Sequence, residues 1–271
     1  MISAGLRYPG MAEEWRPATD GLRVEVSSDV GVIRLSRPKL LNALDLPTLR
    51  DLADAITWHG TAGRTLGLVV TGEGKVFSAG DDLKASADVD RDTFMAIIEA
   101  FQDVTRVILR TEVPVIAGVN GIAVGGAAEI VCACDLRVGC PESDFMFPEN
   151  FLGLTITNGA SVTLPGLVGR RAMGLILMGQ RLPAGQALSL GLIDVMVDEP
   201  REVEAEARRI AAALGEEGRA TRLHLGMLRP PPQGIEHALQ RERDAAAEAW
   251  DRGWVQAGIK AFLEERYRGT S

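Results

Sequence analysis

The chain has 271 residues, 46% of them hydrophobic and 24% charged, which is enough for one substantial core or one core with a small appendage. Its formal net charge of -8 excludes a nucleic-acid surface, which needs concentrated positive charge, but leaves local binding of a phosphate-bearing ligand open. Three cysteines, Cys132, Cys134 and Cys140, lie in one apolar neighbourhood, apart from His59, His224 and His237. That count suits neither a disulfide framework nor a four-ligand zinc site, so we expect reduced, buried thiols in a cytoplasmic protein and no metal.

The opening "MISAGLRYPGMAEEWRPATD" has no continuous apolar run, and its Pro, Gly and acidic residues predict a flexible leader over residues 1–20 rather than a signal peptide. No later segment has the apolar length that membrane insertion requires. "LRVEVSSDVGVIRLSRP" reads as two strands around a turn at Ser28 and Asp29. Helical spacing runs from Asn42 to Thr57, with Asp45 as cap and Pro47 in the first turn. "TLGLVVTGEG" predicts a strand buried on both faces, and Arg91 to Arg110 a long amphipathic helix.

Val115 to Val119 is a further strand, Ala123 to Cys134 a helix, and Asp135 to Gly139 another strand. After Pro148 the chain is punctuated by glycine up to Gly169, then helical to Met178. "LPAGQALSLGLIDVMVD" follows as helix, turn and strand, and a helix runs from Arg201 to Leu214. "RPPPQG" is a break, and a last helical region extends from Ile235 to about Tyr267. Recurring strand, glycine turn and helix indicate an α/β layout. Apolar positions such as Trp250, Trp254 and Phe262 in the small terminal region imply packing on the main body or on another subunit, hence an oligomer.

Two glycine-rich elements matter for chemistry. "TGEGKVFSAGDDLK" (Thr71 to Lys84) is neither a phosphate-binding P-loop nor a dinucleotide fingerprint, yet it can turn the Asp81 N–H towards a cavity. Gly125 and Gly126 can do the same at the start of a helix, and two such donors aimed at one point stabilise a developing oxyanion. Either cluster alone is most often just a turn.

Taken together, "FSAGDDL", "VPVIAGVNGIAVGGAAEIVCACDLRV" and "FPENFLGLT" resemble the enoyl-CoA hydratase/isomerase (crotonase) superfamily over about Val24 to Asp198, with a weaker echo in "IKAFLEERY". The resemblance implies a spiral of repeated β-β-α units over residues 21–200 and a C-terminal helical trimerisation region over 201–271, giving trimers or dimers of trimers. It implies an acyl-CoA thioester as substrate, with coenzyme A part of that substrate and no separate cofactor. The N–H groups of Asp81 and Gly126 would hold the thioester oxygen. Glu129 and Glu149 would be the acid-base pair of a hydratase, the first handling water and the second the C2 proton. Lys39, Leu41, Ala79, Gly80, Leu83, Lys84, Gly125 and Phe262 would border the CoA and acyl channel.

Two departures bear on specificity. Asp81 stands where hydratases commonly have alanine, placing a carboxyl near the oxyanion unless it points away or pairs with Lys84 or an arginine. Gly159, Ala160, Ser161 and Val162 replace the family's Gly-Gly-Thr-Gln, which leaves room for a branched, cyclic or otherwise specialised acyl group. Alternatives to hydration are double-bond isomerisation, decarboxylation, ring hydrolysis, retro-aldol cleavage, or a noncatalytic acyl-CoA-binding or assembly subunit.

Overall fold

Short β-branched runs bounded by glycine or proline form the strands of the computed structural model, which describes residues 15–61, 64–216 and 220–268. Strands β1 (Leu22–Ser27) and β2 (Val30–Leu35) pair antiparallel across Ser28 and Asp29, both of which have positive φ. This is the backbone that a two-residue hairpin needs to match strand twist. From β2 the pairing is parallel, through β3 (Gly67–Gly72), β4 (Val115–Val119), β6 (Leu136–Gly139) and β8 (Val195–Met196). The six-stranded sheet has the order β1-β2-β3-β4-β6-β8. Beside it, β5 (Ala123–Val124) pairs with β7 (Phe145–Met146).

Both faces of this sheet are covered, as its nearly continuous apolar strands require. On one face Ile33, Leu35, Leu68, Val70 and Ala117 meet α1 (Leu46–His59), α2 (Arg91–Arg110) and α3 (Gly126–Ala133). On the other, Val203, Ala207 and Ala211 of α7 (Pro200–Glu216) pack on Val32, Val69 and Ile116. The helical region expected from residue 201 therefore begins as part of the core. Asp45 and Asp90 start α1 and α2 by accepting from Thr48 N at 3.0 Å and Thr93 N at 2.8 Å.

Several elements differ from the sequence reading. α1 starts at Leu46 rather than Asn42 because Asp45 caps it, and Thr221–Leu228 forms a further helix. The helix expected from Ile235 starts at Pro232, inside the expected break, since proline is tolerated in a first turn. Ala123 and Val124 are a strand, because pairing with β7 outweighs their helical propensity, and α3 starts only at Gly126. The glycine-punctuated stretch before Gly169 contains a helix, α4 (Ala160–Val168), which precedes α5 (Arg171–Met178). Pro165 and two flanking glycines hide it from a propensity argument. After α6 (Ala184–Leu190), the terminal region comprises α8 (Thr221–Leu228), α9 (Pro232–Asp251) and α10 (Trp254–Arg268).

Phe94 and Ile98 of α2 meet Ala246 and Ala249 of α9 and Val255 and Ile259 of α10, and Trp250 stacks on Phe94 at 4.7 Å between ring centroids. The expected leader is only partly tested, since residues 1–14 lie outside the described residues. From Ala18 the chain is tied down: Asp51 accepts from Ala18 N at 3.0 Å and Thr19 N at 2.8 Å. Cys132, Cys134 and Cys140 are free and buried, and burial pushes the Cys134 thiol up to about 12. Among the described residues no helix is long and apolar enough to cross a membrane.

Candidate active site

The loop after β3 is held in place before it reaches the site. Asn42, buried and at φ 54, donates from Nδ2 to the carbonyls of Glu73, Val76 and Phe77 at 2.9, 3.1 and 3.2 Å. Ser78 Oγ donates to Asn42 O at 2.7 Å, and Ala79 N to Leu41 O at 2.9 Å. The same loop runs parallel to β5 through Val124 N to Ser78 O at 3.0 Å, which brings Gly80 and Asp81 beside Gly125 and Gly126.

Glycine is required at both crossings. Gly80 has φ 83, and a Cβ there would lie 2.5 Å from Val124 O and 3.6 Å from Gly126 N. Gly125 has φ 55, and a Cβ there would lie 3.1 Å from Glu149 Oε1. Asp81 and Gly126 both line the adjoining cavity, and no hydrogen bond among the described residues uses the N–H of either. Gly126 is the first residue of α3, where an N–H has no partner within the helix.

Two buried carboxyls share that cavity. Glu129, in the first turn of α3, accepts through Oε2 from Thr157 N at 3.0 Å and Asn158 N at 3.1 Å. Glu149 follows Pro148 in a single 3-10 turn, is 5% exposed, and neither of its oxygens has a hydrogen-bond partner among the described residues. Burial raises Glu149 to about 7. Glu129 is raised well above the usual carboxylate range by burial, then by the negative charge of Glu149 and of Glu242 on α9. Burial also pushes the Asp81 carboxyl up to about 7. Its partner is Ser86 Oγ at 3.1 Å rather than a cation, because Arg37 is engaged by Asp45 and Asp82, each at 3.0 Å.

The cavity encloses about 420 Å³. Of the residues singled out in the sequence, Ala79, Asp81, Leu83, Gly125, Gly126, Glu129, Glu149 and Phe262 line it. Gly80 shapes it from behind through its backbone, while Lys39, Leu41 and Lys84 are exposed and outside its lining. Sequence reasoning missed Phe94, Ile97, Phe101 and Leu154, which form the apolar wall, together with Thr155 and Thr157. The wide apolar stripe on α2 was the available signal: such a stripe reads as core, and only the fold shows that part of it faces a cavity.

The profile of the enoyl-CoA hydratase/isomerase family matches residues 25–268. A crotonyl-CoA hydratase of Syntrophomonas wolfei is 32% identical over 253 residues, covering 92% of this chain and 97% of that protein. A short-chain-enoyl-CoA hydratase of Clostridium acetobutylicum is 32% identical over 247 residues, covering 90% and 94%. The crystal structure of an enoyl-CoA hydratase from Mycobacterium avium subsp. paratuberculosis superposes with a TM-score of 0.77 at 29% identity, covering 90% of this chain and 96% of that one. One from Bacillus halodurans superposes with a TM-score of 0.82 at 22% identity, covering 89% and 99%, a likeness of fold alone. With a family profile matched over nearly its whole length and relatives at this identity, the chain belongs to the enoyl-CoA hydratase/isomerase family.

Proposed function

We propose that the protein is an enoyl-CoA hydratase that adds water reversibly across the 2,3-double bond of an acyl-CoA thioester. The observation that carries this reading is the meeting of two buried carboxyls, Glu129 and Glu149, with two uncommitted backbone N–H groups, Asp81 and Gly126, in one cavity. The N–H pair receives the thioester oxygen as it gains negative charge on becoming enolate-like. Glu129 takes a proton from the water that attacks C3, and Glu149 delivers a proton to C2. Water and enoyl thioester balance the 3-hydroxyacyl product, so this reaction calls for no cofactor beyond the CoA of the substrate.

A carboxyl beside a developing enolate would oppose it if ionised. At about 7 the Asp81 group is partly protonated at neutral pH, which softens that conflict. Phe94, Ile97, Phe101, Leu154 and Phe262 wall the acyl end, and among the described residues no lysine or arginine lines the cavity. Those features favour a neutral, bulky apolar acyl group over one bearing a second carboxylate. Met173, Leu177 and Met178 on α5 and Leu223, Met227 and Leu228 on α8 are all more than half exposed. Such apolar surface supports a homotrimer, alone or paired into a hexamer, which light scattering checks. A cytoplasmic location accords with the reduced thiols.

The deciding experiment is a panel of straight, branched, cyclic and dicarboxylic enoyl-CoA thioesters incubated in heavy-oxygen water with purified protein. A product carrying one heavy oxygen with its thioester intact supports hydration. Unlabelled double-bond isomers would replace it with isomerisation, and binding without conversion would favour a noncatalytic acyl-CoA-binding subunit.

A further inference from the structure

The segment Thr157–Ser161 is a strap whose backbone groups are nearly all committed. The Thr157 and Asn158 N–H groups hold Glu129. Thr157 O accepts from Gln102 Nε2 at 2.8 Å, and Asn158 O accepts from Thr105 Oγ1 at 2.7 Å, both from α2. Asn158 Nδ2 donates to Gly126 O at 3.1 Å, tying the strap to the residue whose N–H is uncommitted. Two of the three remaining donors, Gly159 N at 2.7 Å and Ser161 N at 2.8 Å, go to the carboxyl of Glu242.

Glu242 is an unusual cap. Helix α4 begins at Gly159, which has no side chain with which to cap it, and the acceptor comes from α9, more than 80 residues on in sequence. Glu242 is 5% exposed, and no salt bridge reaches it among the described residues. Nearby cations are engaged elsewhere: Arg243 pairs with Glu99, and Arg106 with Glu99, Asp103 and Glu236. Its two N–H partners are therefore its compensation for burial.

We infer that Glu242 is a positioning residue: from the C-terminal helix it fixes the strap that holds Glu129. The inference rests on Glu129 being the group that activates water. Among the described residues, Glu149 from the 3-10 turn, Glu242 from α9 and the Cys132 thiol on α3 itself act on Glu129, and Asp81 and Glu265 line the same cavity. The thiol stays neutral, so Glu242 is the negative neighbour that also holds the strap. Removing its charge favours ionised Glu129 and lowers its titration midpoint. A purely structural cap would leave that midpoint where it is.

The test follows the Glu129 carboxyl by carbon-13 NMR in full-length protein labelled at glutamate carboxyls, the signal being assigned by its loss in Glu129→Gln. In Glu242→Gln the midpoint is expected to fall by about half a unit or more, and kcat by about 10- to 100-fold with little change in KM, as for a misplaced catalytic group. Glu242→Asp keeps the charge but is one methylene shorter, so its midpoint should stay near wild type while kcat falls by a smaller factor. An unchanged midpoint in folded Glu242→Gln overturns the inference. Should that variant fail to fold, wild-type kcat in Glu242→Asp overturns it, and a reduced kcat with KM and the urea midpoint both at wild-type values supports it. If the wild-type protein hydrates no thioester, the hydratase reading falls on its own, and the NMR midpoints still decide whether Glu242 acts on Glu129.

Discussion

Replacing Gly80 by alanine tests the architecture of the site without touching a titratable group. The residue has φ 83, where a Cβ costs about 1–2 kcal/mol. That Cβ would also lie 2.5 Å from Val124 O, a backbone atom of β5 that cannot swing aside like a side chain end. Ordinary contact requires a retreat of about 1 Å, and overpacking of this kind costs about 1–3 kcal/mol. If the loop holds, Gly80→Ala is therefore destabilised by about 2–5 kcal/mol. If it yields, Asp81 N moves away from Gly126 N, and kcat falls by about 100- to 1,000-fold, as when one oxyanion donor is lost. Urea unfolding and turnover of the best enoyl-CoA, measured on the same preparation, read both routes. Gly166→Ala is the control: it lies inside α4, its Cβ would meet nothing within 4 Å, and it should be neutral or slightly stabilising. Wild-type stability together with wild-type turnover in Gly80→Ala would refute the claim that this crossing sets the N–H pair.

Two further outcomes concern stability. Glu149 holds its proton to about 7 in the folded protein against 4.5 for an unperturbed group, so the native state binds more protons in that window. Its contribution is full below about pH 4.5 and is lost as pH rises through about 7, a change of about 3 kcal/mol. Glu149→Gln should therefore flatten the decline in urea midpoint between pH 5 and pH 8, and an unaltered slope would contradict the assignment. Asn42→Ala strips donors from three carbonyls and puts alanine at φ 54. It should cost about 2–4 kcal/mol and loosen the Thr71–Lys84 loop, seen as faster amide exchange there.

The parts of this molecule that could be read from sequence are those fixed by local chemistry. Asp45 before Leu46-Pro47, the paired turn residues Ser28 and Asp29, and the stripe over Arg91–Arg110 each act within a few residues, and each forms where expected. α4 could not be read in that way, since its N-terminal acceptor, Glu242, belongs to another helix. Residues around the site divide along the same line. Glu129 and Glu149 were visible through motif spacing, whereas Asn42, Gln102 and Thr105 act through backbone carbonyls that no sequence pattern marks. Lys39 and Lys84 stand exposed outside the cavity lining, where only a bound thioester can test their expected place beside the CoA channel.

The two carboxyls are chemically alike but differently supported. Both are raised by burial, and Glu129 is raised further by the charge of Glu149. Two N–H donors on Glu129 Oε2 favour its ionised form, while burial and the charges of Glu149 and Glu242 oppose it, so the pair shares one proton over the intermediate pH range. One ionised and one neutral carboxyl give the base beside an acid that the proposed hydration needs. Activity should follow a bell-shaped curve in pH: at low pH both groups are neutral and no base remains, and at high pH both are ionised and no acid remains. The limbs belong to the pair as a whole, with the alkaline limb at or above about 7. Glu149→Gln should lose the alkaline limb and Glu129→Gln the acid limb, each with kcat lower by about 100- to 10,000-fold and acyl-CoA affinity largely kept. A wild-type kcat/KM that is flat from pH 5 to pH 9 would mean that neither proton transfer limits turnover, and it would separate the carboxyl pair from the chemistry.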